Sequence, residues 1–151
     1  MAELDSLVSR TIKRRIAISM SKEHFLHGCT IFFEKGKTCN ELSFGENLSY
    51  TQDNPMHAEA MAIKRLKPNL GRTKKINLLV LKVSSKMKNL SESGPCHHCL
   101  MMMLREPRRK GYEIMKIFWS GSDGHIHSEK LRDYLLRAPH HSSLRRRKMD
   151  V

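Results

Sequence analysis

Long apolar runs are missing from this 151-residue chain; nothing in it approaches the roughly 18 consecutive apolar residues that cross a bilayer. The opening residues, Met1 to Arg10, lack the basic-then-apolar order of a secretory leader. The expectation is an intracellular protein, cytoplasmic or nuclear, with no membrane partner. Aromatic residues make up only 6% of the chain, which argues against a broad base-stacking platform of the single-strand-binding type. There are four cysteines, and in an unsecreted chain they point to metal or free thiols rather than a disulfide framework. Cys29 and Cys39 have no paired ligand spacing and read as small buried hydrophobes. Acids are absent over a long stretch: from Ala60 through Ser91 there are nine Lys or Arg and no Asp or Glu.

What is present is positive charge, with a formal net charge of +13. Further basic clusters stand at Lys13-Arg14-Arg15, Arg108-Arg109-Lys110 and Arg145-Arg146-Arg147-Lys148. A solvated face accounts for many such runs, but this excess favours a nucleotide or single-stranded DNA or RNA as partner.

The length suits one domain over residues 1–138, followed by a basic, fraying C-terminal tail over 139–151. Leu4, Leu7, Val8, Ile12, Ile16 and Met20 mark an amphipathic first helix. Phe25–Glu34 and Leu42–Leu48 read as strands joined in a hairpin at Lys35-Gly36-Lys37. Asp53-Asn54-Pro55 then breaks the chain before a helix from about His57 to Leu66. Ile76–Val83 is a near-continuous apolar run, as expected of a central strand buried on both faces. A helix follows from Cys96 to about Arg105, then a strand over Ile114–Trp119 and a last helix around Leu131–Leu136. A hairpin followed by crossover units predicts an α/β fold: a three-layer α/β/α sandwich around a mixed, five-stranded-type sheet.

Two short motifs carry chemistry. Pro95-Cys96-His97-His98-Cys99 has a spacing expected by chance in roughly a few chains per thousand of this composition. His-x-Glu is far less specific and occurs twice, at His57-Ala58-Glu59 and His127-Ser128-Glu129. One imidazole and two thiolates hold Zn²⁺ with its fourth position open to water, and a nearby glutamate off the metal can move protons. In that signature the histidine segment precedes the cysteines, which selects His57-Ala58-Glu59; the second copy reads as a surface loop entering the late helix. His57 and Cys96 also stand at predicted helix starts, where the positive helix end favours thiolate. His97 and His98 read as exposed or rim residues, because a helix turns those positions away from the ion. Met101-Met102-Met103-Leu104 reads as packing behind the metal.

His57-Ala58-Glu59 together with Pro95-Cys96-His97-His98-Cys99 resembles the cytidine and deoxycytidylate deaminase superfamily, whose members include tRNA adenosine deaminases and polynucleotide cytidine deaminases. The likeness runs from about Leu4 to Arg137 and implies a cytidine deaminase-like fold. It implies one Zn²⁺ per chain on His57, Cys96 and Cys99, with Glu59 as the catalytic acid–base. It also implies substrate contacts from Asn47 and the backbone of Ala58, and assembly as a homo-oligomer, which is frequent in the family. Trp119 is open to two readings, a base-stacking side chain or a core residue. Glu92-Ser93-Gly94 stands where polynucleotide cytidine deaminases usually have Ser-Trp-Ser, so the motif names a reaction but no substrate branch. The function this implies is zinc-dependent hydrolytic deamination of cytosine to uracil, in a nucleotide or a single-stranded nucleic acid. Deamination of adenosine in tRNA-like RNA, or nucleic-acid binding around a purely structural zinc, are the alternatives.

Overall fold

A computed structural model describes residues 2–17, 25–47, 57–84 and 89–137. Met20, Leu48, the Asp53-Asn54-Pro55 break and the basic tail after Ala138 lie outside the described residues. The element order is α1 (Ala2–Ala17), β1 (Phe25–Lys35), β2 (Thr38–Glu46), α2 (Ala58–Arg65), β3 (Lys74–Ser84), β4 (Leu90–Ser91), α3 (His97–Arg109), β5 (Tyr112–Ser120), β6 (Ile126–Lys130) and α4 (Leu131–Arg137).

The hairpin turns at Gly36, whose φ of 62° is a left-handed value that glycine takes without strain. Lys35 pairs with Thr38 across a two-residue loop, so the second strand starts four residues earlier than its apolar residues suggest. β1 pairs antiparallel with β2 and β3, β3 pairs parallel with β5, and β5 pairs antiparallel with β6. The sheet order is β2-β1-β3-β5-β6, with the two-residue β4 attached to β3. β3 is therefore the central strand, and Ile76, Leu78, Leu79, Val80, Leu81 and Val83 are all buried.

Alternation along β3 divides the core. Ile76, Leu78 and Val80 pack with Ala62 and Ile63 of α2 and its C-cap Leu66, Leu100 and Met103 of α3, and Leu131 and Tyr134 of α4. Leu79 and Leu81 face the other way, against Leu7 of α1 together with Phe32 and Phe118. One helix on one face and three on the other make the three-layer α/β/α arrangement. α3 runs on to Arg109 with Pro107 in its last turns. His127-Ser128-Glu129 is not a loop: it lies on β6, paired across to Phe118, Trp119 and Ile117. No helix among the described residues is long and apolar enough to cross a membrane.

Candidate metal centre and catalytic cavity

The two helix starts predicted to meet do meet. His57 is the N-cap of α2 and Cys96 the N-cap of α3, both with extended backbone (φ −74°, ψ 156° and φ −76°, ψ 168°). Neither side chain caps its own helix; the ligand atoms of His57, Cys96 and Cys99 instead lie within 4.8 Å of one another. His57 Nδ1 is 3.0 Å from Cys99 Sγ. Cys99 sits one helical turn after Cys96, so both sulfurs face the same side of α3. Neither His97 nor His98 joins the cluster: His98 is exposed and His97 half-buried.

The proton arrangement suits a cation. Hydrogen bonding from Cys99 and His57 holds the Cys96 thiol down to about 3, against the opposing effect of burial. Cys99 is driven upward by the same bond to Cys96 and by burial, while hydrogen bonding to Cys96 raises His57 above its usual value. The three donor atoms thus face one point and interact strongly with one another. A divalent ion bound by these three groups would hold both sulfurs as thiolates and His57 as a neutral imidazole. One nitrogen and two sulfurs form a soft, borderline donor set that selects metals of the zinc type over magnesium or calcium. These three residues could therefore hold a metal ion.

Close backbone approach sets the position of α2. A Cβ at Gly45 on β2 would collide with the nitrogen of Ala62 and the oxygen of Ala58, and would stand 2.9 Å from Ala62 Cα. Arg65 fixes the other end of the helix, donating to Glu46 Oε2 and Oε1 at 2.8 Å each. The segment before Cys96 is anchored by two buried serines. Ser93 Oγ donates to the Val80 carbonyl at 2.9 Å and accepts from the Ser120 N–H at 2.9 Å, while Ser120 Oγ donates to the Ser91 carbonyl at 2.6 Å.

A cavity of about 310 Å³ opens beside the cluster, lined by His27, Asn47, His57, Glu59, Glu92, Ser93, Gly94 and Cys96. Glu59 is 5% exposed, and burial raises its carboxyl above the ordinary range. It lines the cavity without belonging to the ligand group, which is where a proton carrier has to be. Asn47 Oδ1 accepts from Arg15 Nη2 at 2.9 Å and from the His27 N–H at 3.1 Å. With its oxygen engaged, its NH₂ group has no partner among the described residues and can donate to a ligand. Ala58, the first residue of α2, is buried at the same end.

Sequence reasoning missed His27, Ser93, Ser120 and Arg15. Arg15, read as part of a basic surface cluster that attracts polyphosphate, is 3% exposed and donates to the His27 carbonyl at 2.8 Å. Burial, then Lys82, lowers His27 to about 4, so its imidazole is neutral. No motif marks these residues; a histidine next to buried Leu26 is the faint signal. Trp119 is 8% exposed and packs in the core, edge-on to Tyr134 at 5.0 Å and stacked on His127 at 5.8 Å. It also lines a second cavity, of about 580 Å³, shared with Glu92, Asp123, His127, Glu129 and Arg137. Among the described residues no Lys or Arg lines the cavity beside the cluster, and Arg137 in the second one is bound by Glu129 at 2.7 Å.

No family model matches the chain, and no curated protein matches it in sequence. Among solved structures, the chain is similar to a cytidine deaminase from Mycobacterium leprae, with a TM-score of 0.49, 14% identity, and coverage of 87% of this chain and 96% of that one. Likeness at this level carries no chemical argument, so the functional reading rests on His57, Glu59, Cys96, Cys99 and the cavity they border.

Proposed function

We propose that this protein is a zinc-dependent hydrolytic deaminase that converts cytosine to uracil in a nucleotide or a single-stranded nucleic acid. One observation carries the reading: three soft ligands converge on a point beside a cavity, and a buried carboxylate that is not a ligand lines the same cavity. A structural zinc normally has four protein ligands, and neither His97 nor His98 supplies a fourth. When bound, zinc lowers the pKa of a water molecule so that it becomes a nucleophile near neutral pH.

The protein's own groups do the rest. Glu59 accepts one proton from the attacking water and passes it to the ring nitrogen, then takes the remaining hydroxyl proton and delivers it to the amino group, which leaves as ammonia. The water oxygen ends as the carbonyl oxygen, and the amino nitrogen leaves. Burial keeps the Glu59 carboxyl closer to neutrality in its titration than an exposed glutamate, which suits a group that must both take and give a proton. Asn47, held by Arg15, offers NH₂ donors to a sugar hydroxyl or base acceptor. The backbone of Ala58 offers a contact to the edge of the base.

The test is a deamination screen with mass and ammonia readouts on the zinc-loaded protein. Cytidine, deoxycytidine, their monophosphates, cytosine-bearing single-stranded DNA and RNA, adenosine and tRNA form the panel. Turnover of a cytosine-containing member is expected. Turnover of adenosine in tRNA alone would replace the cytosine assignment, and no turnover of any member contradicts the proposal.

A further inference from the structure

Among the described residues, a group of free positive charges sits at the opposite end of the sheet from the metal cluster. β5 runs from Tyr112, next to Lys110, to Ser120, which hydrogen-bonds Ser93 in the cavity wall. At about 3.3 Å per residue these ends are roughly 26 Å apart. The last turn of α2, the loop over 66–73, the start of β3 and the end of α3 converge at the distal end. Lys64, Lys67, Arg72, Lys75 and Arg105 are exposed there, with no acidic partner among the described residues. The nearby acids are already engaged, Glu113 with Arg108 at 3.6 Å and Glu106 with Arg109 at 3.3 Å.

This is a braced surface rather than a loose basic run. The Asn69 N–H donates to the Lys110 carbonyl at 2.8 Å, and Asn69 Nδ2 donates to the carbonyls of Arg72 and Gly111 at 2.7 and 3.1 Å. Tyr112 Oη donates to the Lys67 carbonyl at 2.7 Å. Lys110 Nζ reaches the carbonyls of Ile63, Lys64 and Leu66 at 2.9, 2.7 and 2.8 Å. The turn requires glycine at Gly71 (φ 105°) and at Gly111 (φ 87°), where a Cβ would collide with the Asn69 carbonyl. The backbone's polar groups are thus used internally, so the loop itself needs little further ordering on binding and only the outward basic side chains lose rotamer freedom. Beside them, a groove of about 440 Å³ between α2 and α3 is lined by Ala60, Ile63 and Met102 together with Lys64 and Arg105. Leu70, 92% exposed, lies within the same loop.

We infer that this end of the molecule docks the phosphate backbone of single-stranded nucleic acid at a site separate from the catalytic cavity. Five unpaired cations meet phosphates, and the groove and Leu70 give apolar contact to sugars or bases without reading sequence. An acidic membrane is a poorer fit, because a lone exposed leucine gives a bilayer little to bury. Nucleic acid as the polyanion rests on the nucleobase reading of the cavity; the positive surface itself does not.

The experiment is fluorescence anisotropy with labelled oligouridylate, which contains no cytosine and so probes docking without turnover. If about five phosphates are neutralised, the log–log salt slope is about −3.5, and affinity falls roughly 100-fold between about 50 and 200 mM salt. Combining Lys67→Glu, Arg72→Glu and Lys75→Glu is expected to weaken binding at least about tenfold and flatten the slope by about 2. Turnover of a cytosine mononucleotide should stay unchanged. The Gln versions, with melting temperatures alongside, replace the Glu set if charge reversal prevents folding. Oligouridylate affinity unaltered in both sets overturns the inference, as does binding by phosphatidylserine vesicles but not by oligouridylate. Docking is read on a non-substrate, so its failure and a failure of the deaminase proposal are distinguishable.

Discussion

Replacing Gly45 with alanine tests whether the approach of β2 to α2 sets the metal site. The added Cβ meets the Ala62 nitrogen, the Ala58 oxygen and, at 2.9 Å, the Ala62 Cα. All three are backbone atoms, so no rotamer change relieves the clash. Restoring ordinary contact of about 3.5–4.0 Å requires a shift of about 1 Å between strand and helix. Overpacking of this kind costs about 1–3 kcal/mol, and immovable backbone places Gly45→Ala at the upper end, about 3 kcal/mol. For a chain of this size that corresponds to a drop of about 10 °C in melting temperature. The shift also carries His57 and Glu59, at the start of α2, away from the cysteines of α3, and misplacement by about 1 Å costs catalysis about 100-fold. The assay is a thermal melt of zinc-loaded protein, with metal content and turnover measured on the same samples. Gly36→Ala is the control: it has nothing within 4 Å and carries only the cost of its left-handed φ, about 1–2 kcal/mol. If Gly45→Ala melts like Gly36→Ala and keeps parental zinc and turnover, the reasoning is wrong.

Two further outcomes are expected. Zinc at about 100 times its dissociation constant should stabilise the parent by about 2.7 kcal/mol, whereas Cys99→Ala should show no zinc-dependent rise in melting temperature. An equal rise in both proteins would remove Cys99 from the ligand set. The Glu46–Arg65 pair should show in the acid limb of stability. Arg65 holds the folded Glu46 carboxyl below its ordinary 4.5, so its contribution is complete above that value and is lost as pH falls through the lower folded one. Glu46→Gln should lose up to about 1 kcal/mol at neutral pH. Its stability should decline less steeply below about pH 4.5, and parallel urea–pH profiles of the two proteins would contradict the assignment.

The residues that could be read in advance were those whose chemistry is local. Ile76–Val83 is apolar but for Asn77 and Lys82 and has no Gly or Pro, which marks a strand covered on both sides. The Cys96–Cys99 spacing defines one helical turn, so the pair was recognisable before its partner His57 was placed. β6 was hidden because Ile126-His127-Ser128-Glu129-Lys130 has a single apolar residue and is held by pairing with β5. The early start of β2 was hidden in the same way, since Cys39-Asn40-Glu41 is stabilised by its partners on β1. Arg15, His27 and Asn47 come from three separate elements, and their bonding exists only after the sheet forms. Charge was legible in amount but not in place: the acid-free stretch puts much of its charge far from the cavity, while Arg15 is buried behind the cavity wall, bonded to His27 and Asn47.

Product formation by Glu59→Ala, compared with the parent at matched zinc content, tests the account most directly. The protein should keep about one zinc per chain, because Glu59 is outside the ligand group, and should release no ammonia above background from a substrate the parent deaminates. Zinc retained together with parental turnover would contradict the role assigned to Glu59, and zinc lost on this substitution would contradict its place outside the metal's ligand set.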